Sequence, residues 1–488
     1  MKIDAQIRGE SITLVATFRP FDMILMFNPV VDIGLWADEN AYNPIKLYKR
    51  CVRYKITSTV YKHVLKETPK VQIFETTSGL TVATQERKCG NACIGLFINA
   101  GSRHEDNISN GITYFFQHLV YKGTRKQTKT DLEREMTNIG AKFKCCTTRD
   151  MTSFYVECLA GVSTRALDIL FNCIFNNAYA NPEIEIQKDL IYKEMLEHDQ
   201  CPSKAHRDSQ TVMGLSKNLS NFNSNAVRDY MNKIFVPTKM VLASVGGVKH
   251  DVMLNLIEQN IRKSDACSQS TTLGPARYTG SQLVYRDDSM NVGYIALAVE
   301  GPSFCDEDKV CIDLASSVIG GWDGSQPGGI NHGTHVAYIA SSGKFCEYYK
   351  TFSYYYEDTG LWGVEFVSPK EEVDDMVLTI QDEWMRLCHM MTDGELLRAK
   401  NELKSKMIMN YNSTVGTCLE LGQNILRTGY HPHFLEKLIA IDQITAKQLK
   451  NVCDKYIYDR CPVVVGIGAT EALLPYPRIR SYMYWLRI

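Results

Sequence analysis

The sequence lacks an apolar run long enough to cross a membrane. A spanning helix needs about 18–20 predominantly apolar residues, and the closest stretch, FDMILMFNPVVDIGLW, is interrupted by Asp32. The chain also lacks a charge excess, because 54 Lys and Arg residues face 55 Asp and Glu residues. No overall field therefore favours nucleic acid or an anionic membrane. The sequence predicts no nucleic-acid partner and no direct membrane span, so any membrane link would be peripheral or through partners.

The 16 cysteines include no Cys-x-x-Cys pair. Cys89 and Cys93 are four residues apart and Cys145 and Cys146 are adjacent, so neither a zinc ribbon nor a thioredoxin-like site is predicted. In a chain of 488 residues, scattered cysteines are typical of free thiols in a reducing compartment. The Gly-rich stretch IGGWDGSQPGGIN lacks the Gly-Lys-Ser/Thr of a phosphate-binding loop. It predicts a flexible loop rather than a nucleotide site.

Acidic residues are missing from residues 41–65, which carry six Lys and Arg residues. A basic, acid-free and partly amphipathic segment is typical of a mitochondrial targeting peptide. It does not lie at the start of the sequence, however, and residues 1–40 contain several acids. A basic surface segment is the alternative interpretation. We assign residues 1–67 to an N-terminal extension that is a candidate targeting region.

Two patterns recur in the two halves of the chain. A strand followed by a Gly break and a polar loop occurs around Gly101 and again around Gly301. A helix ending in an aromatic residue, followed by an apolar strand that runs into Gly, occurs at Gly246 and Gly466. The repetition indicates an internal duplication. Strands come mostly in pairs with helices following, which favours an α+β fold over a doubly wound sheet.

The predicted architecture is two homologous lobes, each a mixed sheet with helices packed mainly on one face. The stretch SDACSQSTTLGPARYTGSQL is rich in Ser, Thr and Gly and reads as a linker. The predicted boundaries are residues 68–263 for the N-terminal lobe, 264–283 for the linker and 284–488 for the C-terminal lobe.

One helix carries the spacing of a metallopeptidase motif. In GITYFFQHLVYKGT, Tyr114, Gln117 and His118 occupy positions i, i+3 and i+4, which share one helical face. An inverted zinc motif, His-x-x-Glu-His, would place a ligand, a general base and a second ligand at these positions. The spacing is that of the motif, but only His118 has the matching residue type.

A later helix supplies a candidate for the third ligand. The stretch EIEIQKDLIYKEMLEHDQ is strongly helical, with Ile184, Leu190, Ile191 and Met195 in its predicted apolar stripe. Glu194 on this helix is the candidate. His198 lies four residues further along the same face, so His118, Glu194 and His198 form an alternative metal site. The bland alternative is a partly exposed helix histidine next to Glu197.

Several segments together resemble a known family. SNGITYFFQHLVYKGT, the Glu194 helix, DTGLWGVEF and the C-terminal KYIYDRCPVVVGIGATEALLPYPRIRSYMYWLRI are similar to the mitochondrial branch of the pitrilysin/insulinase-type metallopeptidases. That branch includes the β subunit of the mitochondrial processing peptidase. It also includes core protein 1 of ubiquinol–cytochrome c reductase, respiratory complex III. The resemblance covers roughly residues 68–488 in order, and its C-terminal part is the most specific.

The resemblance assigns the family's zinc site to positions in this chain. The first His ligand falls on Tyr114, the general-base Glu on Gln117, the second His ligand on His118 and the third ligand on Glu194. A supporting Glu falls on Gln187. A Gln amide cannot act as a base near neutral pH, and a phenol with a pKa of about 10 is a poor zinc ligand. Losing general-base assistance alone costs about 100- to 10,000-fold in rate.

The chain is therefore predicted to have no catalytic residues, no bound metal and no cofactor. Since core protein 1 of animals carries Tyr at the position of Tyr114, the resemblance implies a non-catalytic core protein 1-like subunit of complex III. It further implies a location on the matrix side of the mitochondrial inner membrane. The implied partners are a core protein 2-like or processing peptidase α-like subunit and other complex III subunits. The alternative is an active, zinc-dependent processing peptidase β subunit.

The resemblance also concerns the surroundings of the site. In active relatives an edge strand near residues 141–150 binds the presequence backbone, and here it carries Lys144, Cys145 and Cys146. We expect the two thiols on opposite faces of a strand, with redox chemistry as the alternative. A pair of acidic residues that binds presequences falls on Asn225 and Asp229, which leaves one carboxylate.

The motif HPH is a further candidate for a functional site, because it places two imidazoles close together. His431 and His433 are predicted to lie in a surface loop.

Overall fold

The computed structural model describes residues 31–33, 54–56, 68–200, 212–260, 276–325 and 329–484. The predicted extension 1–67 and linker 264–283 therefore lie largely outside the described residues, and their boundaries stay predictions. Within the described ranges, no helix has both the length and the apolar character needed to span a membrane. Two short strands in the extension, β1 (Val31–Ile33) and β2 (Tyr54–Ile56), pair antiparallel with each other.

The first large sheet has six strands in the order β3-β4-β8-β5-β7-β6. The neighbours β4 and β8 are parallel and the other neighbours are antiparallel. The strands are β3 (Val71–Glu75), β4 (Thr81–Glu86), β5 (Asn91–Ile98), β6 (Lys142–Thr147), β7 (Thr152–Leu159) and β8 (Met240–Gly246).

The second large sheet also has six strands, in the order β11-β12-β13-β10-β14-β9. Here β14 and β9 are parallel and the other neighbours are antiparallel. The strands are β9 (Gln282–Arg286), β10 (Val292–Gly301), β11 (Gly321–Asp323), β12 (Tyr348–Tyr355), β13 (Gly360–Pro369) and β14 (Val463–Gly468).

The two sheets share a common core of five strands. The row β4-β8-β5-β7-β6 in the first sheet corresponds to β9-β14-β10-β13-β12 in the second, with one parallel pair in the same place. Mixed sheets of equal topology confirm the prediction of an α+β fold with two similar lobes. The sheets differ at their ends, because β3 extends the first sheet at one edge and β11 extends the second at the opposite edge.

The glycine that is equivalent to Gly246 in the second half is not the one that the sequence predicted. Gly246 has φ +133° and lies opposite Ala92, whereas Gly468 has φ +96° and lies opposite Gly293. In both, an added Cβ would collide with the backbone oxygen before the partner residue, at 2.3 Å and 2.7 Å. Gly468 is therefore the equivalent of Gly246, and the predicted equivalence with Gly466 was wrong by two residues.

Helices surround both sheets and follow the strands in sequence. Within the described residues they are α1 (Ile112–Leu119), α2 (Lys129–Ile139), α3 (Ser163–Phe175), α4 (Asn181–Gln200), α5 (Ser224–Ile234), α6 (His250–Asn260), α7 (Lys309–Ile319), α8 (His335–Gly343), α9 (Val373–His389), α10 (Asp393–Asn412), α11 (Thr414–Thr428), α12 (Phe434–Gln443), α13 (Ala446–Ile457) and α14 (Tyr476–Ser481).

Each lobe has its own apolar core between sheet and helices. In the first lobe, residues such as Leu96 and Phe154 of the sheet pack against Phe116 and Leu170 of the helices. In the second lobe, Trp362 of β13 stacks on Trp384 of α9 with ring centroids 5.6 Å apart. Both indole rings are fully enclosed, so this pair anchors α9 on the sheet.

A helix from the second half covers the opposite face of the first sheet. Residues Cys418, Leu421 and Ile425 of α11 are buried in one cluster with Phe97 of β5 and Ala243 of β8. The first lobe's own helices pack on one face of its sheet, as predicted. The second face of the first sheet is covered by a helix supplied from the other half.

Charged residues join the halves beside α11. Asp150 accepts from Arg103 Nη1 at 3.2 Å and from the Glu357 backbone N–H at 3.0 Å, and Arg427 Nη2 lies 3.4 Å away. Arg103 also makes two hydrogen bonds to Asp358, at 2.8 Å and 2.9 Å. Asp150 is almost fully buried, so these donors compensate its lost hydration.

Two local predictions were wrong and one holds only in part. The Gly-rich stretch contains the edge strand β11, which was not predicted, while its flexible loop stays a prediction because residues 326–328 lie outside the described ranges. His431 and His433 are half-buried rather than at the surface, and His433 caps α12 through its side chain. Leu190 is 42% exposed although the periodicity placed it in the apolar stripe of α4.

Candidate functional site

Helix α1 is fixed in place by buried side chains on its inner face and by hydrogen bonds at its N-terminus. Phe115 and Phe116 are fully buried under the helix, which fixes its rotation against the sheet. At its start, Glu105 Oε2 accepts from the Gly111 N–H at 2.7 Å and Oε1 accepts from the Thr113 N–H at 2.9 Å. The carboxylate satisfies two of the free N–H groups of the first turn and complements the helix dipole.

Sequence analysis missed the role of Glu105. An acidic residue a few positions before a helix is a weak signal, since the loop between them decides whether it reaches back. Burial raises the pKa of Glu105, while its hydrogen bonds to the first turn of α1 oppose that shift.

The motif positions face α4. The Tyr114 hydroxyl donates to Glu194 Oε2 at 3.1 Å, and His118 Nε2 lies 3.3 Å from the same oxygen. The rings of Tyr114 and His118 are 4.9 Å apart and tilted by 52°. The structure therefore brings Tyr114, His118 and Glu194 together, as the spacing predicted, and joins them through one carboxylate oxygen.

Protonation states at this cluster follow from burial and from the carboxylate. Burial, reinforced by Glu194, raises the pKa of Tyr114 far above its ordinary value of 10.0, so the phenol keeps its proton. Burial lowers the pKa of His118 from 6.5, although Glu194 acts in the opposite direction. The oxygen of Glu194 that accepts from Tyr114 also lies 3.3 Å from His118 Nε2, so the carboxylate is the group that the two side chains share.

The two glutamines lie at positions where the family resemblance implies carboxylates, and a neutral amide cannot take over the chemistry of a carboxylate. Gln117 Oε1 is buried and has no hydrogen-bond partner among the described residues. Gln187 is 2% exposed, and its Nε2 donates to Glu183 Oε1 at 3.0 Å. Glu183 in turn pairs with Lys129 Nζ at 2.9 Å. The supporting position is thus part of a hydrogen-bond network that ties α4 to α2.

The edge strand lies next to α1, as predicted. Strand β6 is the outermost strand of its sheet, with Cys145 half-buried and Cys146 exposed. Cys145 Sγ is 3.5 Å from the backbone oxygen of Gln117, and the Tyr121 hydroxyl donates to the Lys144 carbonyl at 3.4 Å. Burial raises the pKa of Cys145 to about 12. The two thiols are free and on opposite faces, so the structure offers no support for redox chemistry between them.

Three predicted residues are not part of the cluster in the described structure. Asn225 and Asp229 lie on the exposed side of α5, and no described contact joins either to Tyr114, His118 or Glu194. His198 lies in the last turn of α4, but its side chain is outside the described residues. The alternative site that includes His198 therefore stays a prediction.

The donor set does not fit a catalytic zinc ion. Such an ion needs three protein ligands and an activated water, whereas here a protonated phenol and an amide stand beside His118 and Glu194. The orphaned oxygen of Gln117 is a neutral carbonyl with no basic function. Across the described part of the chain, no group of three or more His, Cys, Asp or Glu residues is arranged to hold a metal ion. We derive no catalytic step for this cluster.

Comparison with known families gives two adjoining matches. The insulinase family of peptidases, family M16, matches residues 81–222. A second domain, described as the peptidase M16 inactive domain, matches residues 221–403.

Two kinds of relative have similar sequence identity. Cytochrome b-c1 complex subunit 1, mitochondrial, of Mus musculus is 33% identical over 445 residues, which cover 88% of this chain and 93% of that protein. Mitochondrial-processing peptidase subunit beta of Homo sapiens is 33% identical over 439 residues, which cover 87% and 90%. Overall identity therefore does not separate the two kinds.

Solved structures confirm the fold. A chain of complex III2 from Candida albicans superposes with a TM-score of 0.76 at 22% identity, covering 85% of this chain and 100% of that one. A protease from Helicobacter pylori superposes with a TM-score of 0.74 at 15% identity, covering 82% and 99%. The same two-lobed fold thus occurs in a respiratory assembly and in a protease.

Proposed function

The chain belongs to the insulinase family of peptidases, family M16, and we propose that it is a non-catalytic member, a core protein 1-like structural subunit of mitochondrial respiratory complex III. In this role it lies on the matrix side of the inner membrane. It forms a pair with a core protein 2-like or processing peptidase α-like subunit and supports the other subunits of the complex. It contributes no cofactor and no active site.

One observation carries this proposal: the hydrogen bond from Tyr114 to Glu194 occupies the position where zinc coordination would be needed. Its 3.1 Å length and the raised pKa of Tyr114 describe a neutral phenol that keeps its proton and donates a hydrogen bond to the carboxylate. A zinc ligand would donate an electron pair instead. With Gln117 in the place of the base, no residue of the motif can remove a proton from water.

The relatives support the assignment without deciding it. Cytochrome b-c1 complex subunit 1 and the processing peptidase β subunit are each 33% identical to this chain. The choice between the two kinds of relative rests on the side chains of the cluster, because they suit a structural subunit and not an enzyme. Both relatives are named as mitochondrial, which agrees with the basic, acid-free segment at residues 41–65.

The second candidate is a zinc-dependent processing peptidase β subunit that cleaves presequences. Two observations favour this candidate. The chain is as similar in sequence to the processing peptidase β subunit as to cytochrome b-c1 complex subunit 1, and it retains His118 and Glu194 at two of the motif positions. It is disfavoured by Tyr114 and Gln117.

Assembly is tested by the position of the tagged chain on a native gel of solubilised mitochondria. We expect it to co-migrate with complex III activity and with cytochrome b. Migration only as a pair with a processing peptidase α subunit would contradict the proposal.

Catalysis is tested with the purified chain and its partner subunit on a basic presequence peptide, with added zinc. We expect no cleavage above that of the partner alone, and we expect the human processing peptidase to cleave under the same conditions. Turnover that disappears on chelation and returns with zinc would establish the second candidate.

A further inference from the structure

A basic depression lies beside the motif helix, between the ends of α1 and α3 and the starts of α2 and α4. It has a volume of about 400 Å³ and is formed by residues 122–129 together with residues from the segment 178–183. None of its lining residues is aromatic, and its floor contains Gly123 and Thr124. Neither family matches nor relatives assign a ligand to this depression.

Its lining has an excess of positive charge. Lys122, Arg125, Lys126 and Lys129 line it together with a single carboxylate, Glu183, which leaves a net charge of +3. Glu183 is already paired with Lys129 at 2.9 Å. Among the described residues, the other three basic side chains have no carboxylate within salt-bridge distance. Three unpaired cations therefore share one concave surface.

The loop that carries these cations is held by its own hydrogen bonds. Thr124 Oγ1 accepts from the N–H groups of Lys126 and Gln127, at 3.3 Å and 3.1 Å. Asn177 is 3% exposed and donates to the carbonyls of Leu119 and Val120, at 3.0 Å and 3.1 Å. The backbone of the depression is thus formed before any ligand arrives, and binding has to order only the basic side chains.

The geometry points to a diphosphate-bearing ligand as the occupant of this depression. Two linked phosphate groups carry about three negative charges near neutral pH, which matches the excess of +3. Lys and Arg are the usual partners of phosphate oxygens. The first turns of α2 and α4 at the rim carry Asp131 and Glu183, which offset the helix dipoles there, so the positive potential comes from the basic side chains. Without an aromatic lining to stack a base or ring, recognition is of the phosphates and not of an attached group.

Such phosphates have two sources, a soluble molecule and the headgroup of an anionic phospholipid. The volume of about 400 Å³ admits a diphosphate with a small substituent, and the depression opens to solvent, where a headgroup can also enter. The inference is independent of the proposed structural role, because it concerns a surface outside the degenerate motif. It holds or fails whether or not the chain assembles into complex III.

Calorimetric titration of the full chain with sodium pyrophosphate tests the inference. We expect one saturable site per chain. The double substitution Arg125→Gln/Lys126→Gln is expected to weaken binding at least tenfold, because it removes two of the three unpaired cations. Both side chains are exposed, so the fold is preserved.

The matched control is Lys249→Gln/Lys447→Gln, which removes the same charge from exposed positions elsewhere. It is expected to leave the affinity unchanged. Absence of saturable binding to the wild-type chain, or equal weakening by both double substitutions, would overturn the inference.

Vesicles of phosphatidylcholine with and without diphosphatidylglycerol, whose headgroup links two phosphates, separate the two sources. Co-sedimentation that requires diphosphatidylglycerol, Arg125 and Lys126 identifies a headgroup. Pyrophosphate binding without co-sedimentation identifies a soluble ligand. Binding of polyglutamate that depends on Arg125 and Lys126, with no binding of pyrophosphate, would assign the surface to an acidic peptide and overturn the inference.

Discussion

The Tyr114 hydroxyl donates to Glu194 across the gap between α1 and α4, over 3.1 Å. His118 approaches the same carboxylate oxygen at 3.3 Å. A hydrogen-bonded cluster thereby links the two helices that a bound metal ion would otherwise link. We infer that the cluster contributes to stability in place of coordination chemistry.

The substitution Tyr114→Phe removes only the hydroxyl and therefore tests this contribution. Glu194 is 41% exposed at its side chain, so solvent replaces part of the lost interaction. We expect the free energy of unfolding to fall by about 1 kcal/mol, measured by chemical denaturation. Tyr338→Phe is the control, because Tyr338 is 52% exposed and has no described hydroxyl partner. Equal effects of the two substitutions would show that the Tyr114 bond is energetically neutral.

Asp150 is predicted to be the main electrostatic link between the halves. Its side chain is 6% exposed and that of Arg427 is 9% exposed, so neither charge is hydrated once its partner is lost. We expect Asp150→Asn to lower the free energy of unfolding by about 3 kcal/mol, since breaking a buried ion pair leaves an uncompensated charge.

Asp189→Asn, at an exposed position on α4, is the control for this substitution and is expected to have little effect. Unchanged stability of Asp150→Asn in thermal and chemical unfolding would show that the halves are held by apolar packing alone.

Gly422 allows α11 to approach the first sheet. A Cβ at this position would lie 2.2 Å from the ring of Phe97, so either the ring or the helix has to move. We expect Gly422→Ala to destabilise the chain by about 1–3 kcal/mol through overpacking, despite the better helix propensity of Ala.

Gly394→Ala is the matched control, because an added Cβ there has no neighbour within 4 Å. It is expected to be neutral or stabilising. If Gly422→Ala behaves in the same way, the contact between α11 and the first sheet is looser than the structure describes.

His431 is predicted to make stability depend on pH. Burial lowers its pKa to about 3, and its Nδ1 lies 3.1 Å from Asn424 Nδ2. The unfolded chain binds a proton below its ordinary pKa of about 6.5 and the folded chain does not. The free energy of unfolding therefore decreases as pH falls from 6.5 towards 3, by about 1.4 kcal/mol per pH unit from this residue.

The substitution His431→Gln keeps a hydrogen-bond acceptor and removes the titrating group. We expect its denaturation midpoint to depend less on pH between 7 and 4.5 than that of the wild-type chain. Parallel profiles for the two proteins would contradict the assignment of a buried neutral imidazole at this position.

Much of the fold follows from local sequence patterns. Helix α4, for example, follows from its helical composition. The spacing of Tyr114, Gln117 and His118 predicted their shared face, because it depends only on helix geometry. The two recurring patterns around glycines predicted the duplication but not its register. The register follows from the backbone oxygen that an added Cβ at Gly246 or Gly468 would meet on the neighbouring strand. This contact exists only once the strands are paired, so the sequence did not predict it.

Long-range contacts were not predictable in this way. The packing of α11 on the first sheet joins residues that are far apart in sequence. The periodicity of α11 does not indicate which sheet it packs against. Leu190 shows the related limit, because an apolar residue at the edge of a stripe is as well placed for solvent as for the core. Glu105 and Asp150 act through loops whose conformation depends on the assembled lobes. The sequence alone therefore did not predict which groups these two carboxylates contact.

The zinc content of the chain, measured beside that of Tyr114→His/Gln117→Glu, decides whether a phenol and an amide prevent this helix pair from holding catalytic zinc. We predict less than stoichiometric, chelator-sensitive zinc in the wild-type chain and about one tightly held zinc per chain in the double variant, because His, His and Glu complete a three-ligand site. Tightly held, stoichiometric zinc in the wild-type chain, lost on substitution of His118, would contradict the account.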